Sequence, residues 1–373
     1  MRQAVYLDYN ATAPVRPQAA DAVARALATV GNPSSVHGFG RAARRLMEDA
    51  RERVAALVGA RPDEVIFTSG GTEANALALG GTRAARVLVS AVEHDSVLRN
   101  APKAEVLPVD RDGVVDLAAL AARLARGAGG TILLSLMLAN NETGVVQPVA
   151  EAAALARRHG ALVHCDAVQA AGKIPVDMRA LGVDLMTLSA HKLGGPQGCG
   201  ALVLRDGIEL APLLKGGGQE RGRRAGTENV PGLAGFGAAA EAAAADLAKG
   251  AAGCVAALRD RLEVGVRSIA PHAVVHGAGA PRLPNTSCIG LRGVAAETQM
   301  MSLDLTGVAV SSGAACSSGK VRASHVLAAM GLAPEEAGSA IRVSLGWRST
   351  AKDVDGFLAA WGSLARRQGS AAA

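Results

Sequence analysis

Short apolar runs alternate with amphipathic stretches through the first half of the chain. The runs predict strands at 65–68, 87–90, 131–137, 162–166, 185–189 and 201–204. Helical patterns cover residues 18–30, 40–58, 116–126 and 149–159. Parallel strands need crossover connections, usually helices, so this alternation predicts a mostly parallel sheet with helices on both faces. Ligands of such sheets collect at the carboxyl ends of the strands.

The second half of the chain has a different pattern. An alanine-rich stretch from about residue 233 to about residue 269 favours one long helix. Shorter strand patterns follow at 274–276, 286–291, 308–312 and 341–345, and a helical pattern at 352–367 closes the chain. We predict that this part forms a smaller α+β domain.

Composition excludes several classes of protein. Of the 373 residues, 49% are apolar and 19% charged, which allows a sizeable core and argues against disorder. With 2% aromatics and a scattered net charge of +6, we expect no nucleic-acid surface. No run approaches the roughly 18 apolar residues of a membrane span, and no signal region begins the chain, so we expect a cytoplasmic location without membrane contact.

The cysteines and histidines predict no metal site. The five cysteines lack CxxC spacing, which argues against both a disulfide framework and a zinc knuckle. His272 and His276 have no further ligand nearby in the sequence.

Lys192 follows a predicted strand directly, in Ser-Ala-His-Lys, and precedes a glycine-rich turn. The chain has seven lysines against 32 arginines, so a lysine at a strand end invites a chemical explanation. A buried lysine amine can form a Schiff base with a carbonyl compound and can move protons. The alternative is an exposed loop lysine.

Three other strand ends carry polar groups. Gly71 and Thr72 begin a helix whose amides could bind a phosphate, although Thr72 also suits an ordinary helix start. Asp166 ends a buried strand, where a carboxylate needs a cationic partner. His94 could stack on a flat ring or be structural. Together with Lys192, these groups match the needs of pyridoxal phosphate.

The chain resembles the cysteine desulfurases, which belong to the class V aminotransferase group of fold-type I pyridoxal-phosphate enzymes. The resemblance runs nearly end to end through a series of motifs in order: Tyr6-Leu-Asp-Tyr-Asn-Ala-Thr-Ala-Pro, Gly31-Asn-Pro-Ser-Ser-Val-His, Thr68-Ser-Gly-Gly-Thr-Glu-Ala-Asn, Asn140-Asn-Glu-Thr-Gly, Ser189-Ala-His-Lys, Gly216-Gly-Gly-Gln-Glu-Arg-Gly-Arg-Arg-Ala-Gly-Thr, Ser311-Ser-Gly-Ala-Ala-Cys-Ser-Ser-Gly and Ile341-Arg-Val-Ser-Leu-Gly. It implies an α/β fold with a large pyridoxal-phosphate domain (13–255), whose mostly parallel sheet has seven strands. A small α+β domain (1–12 and 256–373) would carry the catalytic cysteine.

The resemblance also implies a role for each site residue. Lys192 would hold the cofactor and shuttle a proton, and Asp166 would pair with the pyridine nitrogen. His94 would stack on the ring and act in catalysis by helping to move protons. The other implied cofactor ligands are Gln169 for the ring hydroxyl, Gly71, Thr72, Ser189 and His191 for the phosphate, and Thr227 for the phosphate of a neighbouring subunit in a homodimer. Asn141 and Arg342 would bind the substrate.

Cys316 distinguishes the implied activity from transamination. It lies among small residues in a segment resembling the iron–sulfur and nitrogen-fixation branch, and we expect its thiolate to take sulfur from L-cysteine as a persulfide, releasing L-alanine. The other four cysteines are expected to be inert. A sulfur-acceptor protein would follow, although the C-terminal tail is shorter than the one with which housekeeping members dock a scaffold.

Two other classes of function stay open at this point. A different lyase or aminotransferase on the same scaffold, such as a selenocysteine lyase, would keep Lys192, and an ordinary aminotransferase would not need Cys316. A non-enzymatic sulfur carrier or interaction protein would bind no cofactor.

Overall fold

The computed structural model of the chain describes residues 4–127, 129–312 and 324–371, with side chains as far as residue 367. The strands, in chain order, are β1 (Val5–Tyr6), β2 (Val65–Thr68), β3 (Arg86–Ser90), β4 (Glu105–Leu107), β5 (Ile132–Ser135), β6 (Leu162–Asp166), β7 (Leu185–Ser189), β8 (Gly200–Leu204), β9 (Val274–His276), β10 (Thr286–Gly290), β11 (Val308–Ala309), β12 (Ser311–Ser312) and β13 (Ala340–Ser344). The helices are α1 (Pro17–Leu27), α2 (Gly38–Leu57), α3 (Gly71–Gly81), α4 (Asp95–Leu98), α5 (Leu117–Leu124), α6 (Val149–Arg158), α7 (Met178–Leu181), α8 (Val230–Ala248), α9 (Ala251–Ile269), α10 (Ala296–Asp304), α11 (His325–Ala329), α12 (Pro334–Ala337) and α13 (Ala351–Ala371).

A seven-stranded sheet has the order β2-β8-β7-β6-β5-β3-β4. Only β8 runs antiparallel to its neighbours within this sheet, so the predicted mostly parallel sheet is confirmed. Every residue of β7 and β8 is buried, because helices cover both faces. The short edge strand β4 was not predicted, since its three residues, Glu-Val-Leu, form no apolar run.

A smaller antiparallel sheet has the order β12-β13-β10-β9. A separate apolar core packs against it, in which the rings of Phe357 and Trp361 from α13 stack with centroids 6.3 Å apart. Leu7, from the start of the chain, is fully buried in the same core. The N-terminal segment therefore packs with the C-terminal part of the chain; the domain boundaries at residues 12/13 and 255/256 stay a prediction.

The prediction of one long helix over 233–269 is wrong. The stretch forms two helices, α8 and α9, separated at Gly250, whose φ of 80° is left-handed. Helix propensity favours continuing through this alanine-rich sequence, but glycine adopts the left-handed conformation without a steric penalty, and the chain turns there.

Strand pairing determines where the polar strand ends lie. β6 and β7 pair in parallel with Asp166 opposite Thr187, so Asp166 and Ser189 lie at the same edge of the large sheet. Arg342 comes to this edge from the small sheet, where it pairs with Cys288 and Ser311.

The described ranges contain neither a membrane-spanning helix nor a cluster of metal ligands. No helix there is both long and apolar enough to cross a membrane. Nor do those ranges contain a group of three or more histidine, cysteine or acidic side chains placed to hold a metal ion.

The contact between α8 and α2 provides a test of the packing. A Cβ atom on Gly237 would lie 2.6 Å from Ala50 Cα and 2.8 Å from Ala50 Cβ, so Gly237→Ala should force the helices apart. We expect a loss of about 1–3 kcal/mol in the free energy of unfolding, measured with urea, despite the better helix propensity of alanine.

Gly253→Ala is the matched control, because a Cβ there has no neighbour within 4 Å among the described residues. It should leave the protein equally stable or slightly more stable. Equal stability of the two variants would contradict the close packing.

Candidate active site

A cavity of about 390 Å³ lies at the carboxyl edge of the large sheet and is closed on one side by the small sheet. Its walls contain most of the predicted site residues: Gly71, Thr72, His94, Asn141, Asp166, Gln169, Ser189, His191, Lys192 and Arg342. Thr227 is exposed and does not line the cavity, and Cys316 lies outside the described residues.

The amine of Lys192 projects from the turn after β7. Its Nζ donates to the carbonyl oxygens of Asn10, at 2.6 Å, and Ala11, at 2.8 Å. Burial, followed by the charge of Arg342, lowers the pKa of Lys192 to about 8, although Asp8 and Asp166 oppose the shift. A useful fraction of the amine is therefore neutral and nucleophilic near neutral pH.

Asp166 and His94 are joined by a chain of hydrogen bonds. Nδ2 of Asn75 donates to Asp166 Oδ2 at 2.7 Å and to Ser96 Oγ at 2.8 Å. Both the backbone N–H of Ser96, at 3.1 Å, and its hydroxyl, at 2.8 Å, contact Nδ1 of His94. Since Nδ1 accepts from the backbone, the proton of the neutral ring lies on Nε2. Burial lowers the pKa of His94, which favours that neutral form.

The start of α3 faces the cavity next to the end of β7. A Cβ atom on Gly71 would lie 3.0 Å from Val168 Cγ2 and 3.6 Å from Ser189 Cβ, so a larger residue would narrow this corner. Thr72 and Ser189 add hydroxyl groups, and the first amides of the helix add free donors. Burial, followed by the charge of Lys192, lowers the pKa of His191 to about 4, so His191 is neutral.

Gln169 and Arg342 reach the cavity from different sheets, Gln169 from the loop after β6 and Arg342 from β13. Gln169 donates from Nε2 to Asn10 O at 2.9 Å and accepts from Lys173 Nζ at 2.6 Å. Arg342 donates to Asp8 Oδ1 at 2.8 Å and to the carbonyl of Asn141 at 3.1 Å. Its Nε is buried and has no hydrogen-bond partner within the described chain. A guanidinium has five N–H donors, and the two bonds to Asp8 and Asn141 use one on each terminal nitrogen, so Arg342 keeps donors for an anionic ligand in the cavity.

The sequence reasoning missed several polar residues of the site: Asp8, Asn10, Asn75, Ser96 and Lys173. Asn10 and Asn75 stand inside two of the family motifs, and Lys173 follows Gln169 by four residues, which is one helical turn in spacing. The site contacts of Asp8, Asn10 and Asn75 cross from one part of the chain to another, so no local pattern marks these three.

Four of the five cysteines lie in the described residues, and all are free thiols. Cys165, Cys199 and Cys288 are buried, and burial raises the pKa of each thiol. A buried thiol with a raised pKa is a poor nucleophile, which agrees with the expected inert role. Cys254 is exposed on α9, away from the cavity.

These residues fit pyridoxal phosphate. The cavity offers an amine with a lowered pKa, a carboxylate oriented by Asn75, and an anion corner at a helix start where glycine leaves room. Those are the three groups needed for an aldehyde, a pyridine nitrogen and a phosphate.

Comparison with known proteins agrees with this chemistry. Residues 5–357 match the Aminotransferase class-V family. The chain is 47% identical over 369 residues to a cysteine desulfurase of Cereibacter sphaeroides, which covers 95% of this chain and 94% of the relative. A cysteine desulfurase of Enterobacter agglomerans is 42% identical over 366 residues, 94% of this chain and 90% of that protein.

Solved structures share the fold over nearly all of the chain. The X-ray structure of a NifS-like protein from Rickettsia africae ESF-5 has a TM-score of 0.88 at 34% identity and covers 97% of this chain and 99% of that one. The structure of SspA in complex with cysteine has a TM-score of 0.78 at 28% identity, covering 91% and 98%. The chain therefore belongs to the class V aminotransferase family, within the branch that contains the cysteine desulfurases.

Proposed function

We propose that the protein is a pyridoxal-phosphate-dependent cysteine desulfurase that converts L-cysteine to L-alanine and passes the sulfur to Cys316. The observation that carries the proposal is the convergence of Lys192, Asp166 and Arg342 on one cavity in a chain of this family. The structure of SspA, a related protein, was solved with cysteine, which supports L-cysteine as the substrate here.

The cofactor would be held by side chains that the cavity brings together. Lys192 would bind its aldehyde, Asp166 the ring nitrogen, and Gly71, Thr72, Ser189 and His191 its phosphate. Gln169 would form a hydrogen bond with the ring hydroxyl, and His94 would stack on the ring. Bound pyridoxal phosphate supplies an electron sink that stabilises negative charge on the substrate carbon.

Substrate binding would rest on Arg342 and Asn141. A guanidinium binds a carboxylate through two parallel hydrogen bonds, which sets both its position and its orientation. Asp8 and the carbonyl of Asn141 hold the Arg342 side chain in place before the substrate arrives. The released amine of Lys192 would take up and return the proton on the substrate carbon, a transfer suited to a pKa of about 8.

The sulfur would leave by a transfer between two sulfur atoms. The Cys316 thiolate attacks the sulfur of the substrate, an S–S bond forms, and the bond between that sulfur and Cβ breaks with its electron pair remaining on carbon. Cβ then gains a proton to give L-alanine, and Cys316 carries a persulfide. We further propose that an acceptor protein takes this sulfur for iron–sulfur cluster or other thio-cofactor assembly.

A homodimer is part of the same proposal. Thr227 is exposed in this chain and does not reach its own cavity, as expected for a residue that serves the site of a neighbouring subunit. A cytoplasmic location likewise stays a prediction.

Replacing the sulfur-accepting cysteine should separate cofactor binding from desulfuration. We expect Cys316→Ser to keep the visible absorption band of the bound cofactor but to lose alanine and sulfide production from cysteine by about a thousandfold or more, because an alcohol cannot form a persulfide. Both products are measured in one assay.

Cys254→Ser is the control for this change, since Cys254 is the exposed cysteine on α9. It should keep full activity. Retained desulfuration by Cys316→Ser would exclude the proposed sulfur transfer and favour another lyase on the same scaffold.

The pKa of Lys192 predicts how cofactor capture depends on pH. Only the neutral amine attacks an aldehyde, and a pKa of about 8 leaves a minor neutral fraction at pH 7 and a major one at pH 9. In the chain freed of cofactor, the rate of capture of added pyridoxal phosphate should rise about tenfold between these pH values and level off above them. A rate still rising steeply above pH 10, as for an exposed lysine, would contradict the burial of this amine.

Arg342→Lys tests the substrate carboxylate site. Lysine keeps the positive charge but loses the two-pronged geometry, so kcat/KM for cysteine should fall by about tenfold or more. The absorption band of the cofactor should not change. An unaltered kcat/KM would show that Arg342 does not bind the substrate.

A further inference from the structure

Asn10 forms hydrogen bonds with each of its polar atoms and is 1% exposed. Its side-chain Nδ2 donates to Asn141 O at 3.1 Å and to Thr286 Oγ1 at 2.9 Å, and its Oδ1 accepts from Lys173 Nζ at 2.8 Å and from Asn285 Nδ2 at 3.0 Å. Its backbone N–H donates to Ser344 Oγ at 3.0 Å. Its backbone carbonyl accepts from Lys192 Nζ at 2.6 Å and from Gln169 Nε2 at 2.9 Å. The two donors and the two lone pairs of the amide are all used, so its orientation is unambiguous.

These bonds join two parts of the molecule at the wall of the cavity. Ser344 and Thr286 belong to the small sheet, through β13 and β10. Gln169 and Lys192 follow β6 and β7 of the large sheet. Asn10 is therefore bonded both to the small sheet and to the Lys192 amine, so the position of its backbone carbonyl depends on where the small sheet lies.

The amine of Lys192 depends on this backbone for its placement. Both of its acceptors are carbonyl oxygens of adjacent residues, Asn10 and Ala11. A backbone carbonyl cannot be removed by mutation, but its position can be changed through the side chain that anchors it. Asn10 is that anchor, because its side chain alone makes four hydrogen bonds to other segments.

Lys173 bonds the side chains of both Asn10 and Gln169. Its amine donates to Asn10 Oδ1 at 2.8 Å and to Gln169 Oε1 at 2.6 Å. It forms no ion pair among the residues the structure describes. A lysine placed among amide oxygens without a carboxylate is costly to bury, and burial lowers its pKa well below the usual range. Its two contacts fix the orientation of both amides.

We propose that Asn10 is a positioning residue that places the Lys192 amine for reaction, and that Lys173 keeps Asn10 in the required orientation. The inference rests on the proposed function, because it concerns the reaction of that amine with the cofactor aldehyde. Several charged and titratable groups surround the Lys192 amine: Asp8 from the N-terminal segment, His94 after β3, Asp166 at the end of β6, Lys173 after β6, His191 beside it, and Arg342 from β13.

Asn10→Asp tests the proposal with little change of shape. The new carboxylate would lie against the Lys173 amine, on the residue whose backbone carbonyl holds the Lys192 amine. Its negative charge would favour the charged form of Lys192, so more alkaline conditions are needed to free the nucleophile. In the full chain freed of cofactor, we expect the midpoint of the capture rate of pyridoxal phosphate against pH to move upward by about one unit. The rate is followed by the growth of the visible absorption band.

Asn140→Asp is the matched control. Asn140 is also 1% exposed, and its side chain contacts Val92 O and the turn at residues 142–143, but neither lysine. It should destabilise the protein without moving the midpoint. The proposal is overturned if the pH midpoint of capture for Asn10→Asp equals that of the unaltered chain or that of Asn140→Asp. Any change in the capture rate would then come from destabilisation alone.

Lys173→Met provides a second measurement if Asn10→Asp does not fold. Without the Lys173 amine, Asn10 and Gln169 each lose a partner, and we expect capture at pH 9 to slow by about threefold or more as the Lys192 amine becomes less well placed. Lys249→Met makes the same change at an exposed lysine after α8 and should not alter the rate. Equal rates for the two variants overturn the role of Lys173.

Failure of the inference and failure of the proposed function give different results. If the unaltered chain captures no pyridoxal phosphate at any pH, the proposed function is wrong. If it captures the cofactor and the Asn10 and Lys173 variants behave like their controls, only the inference is wrong.

Discussion

Removing a lysine amine from water is the constraint on which this site depends. Lys192 can be both nucleophile and proton carrier only because its surroundings disfavour the charged form, with Arg342 adding to the effect of burial. The opposing carboxylates, Asp8 and Asp166, lie close enough to keep the shift moderate. The amine therefore changes charge near neutral pH, where a reversible bond to an aldehyde is most useful.

Buried polar groups require partners, and this requirement connects the site to the fold. Asn75 links Asp166 to Ser96, and Asn10 links Lys192 to the small sheet. Each of these asparagines uses both amide hydrogens, which orients the group it bonds. The site is thus rigid where the cofactor would bind, and its geometry depends on how the two sheets are placed together.

Much of the fold follows from local sequence. The runs at 162–166 and 185–189 form strands with those bounds. Each begins with two large apolar residues shortly after a glycine turn, at Gly160 and at Gly182. The break at Gly250 was missed, since alanine-rich flanks hide a single left-handed glycine. Within the site, Lys192, Asp166 and His94 were predicted from their own positions at strand ends. Arg342 was predicted only because the chain resembles the cysteine desulfurases.

By itself, the sequence determined the helices and strands, their alternation and the chemically distinctive side chains at strand ends. These features depend on the spacing of apolar residues and on residue type over a few neighbouring positions. Only the tertiary structure decided that Asn10, Lys173 and Gln169 share hydrogen bonds, and that Asp8 holds Arg342, more than 300 residues away in the chain. Such contacts have no sequence period, since they arise where separately folded segments meet and each buried polar atom must find a partner.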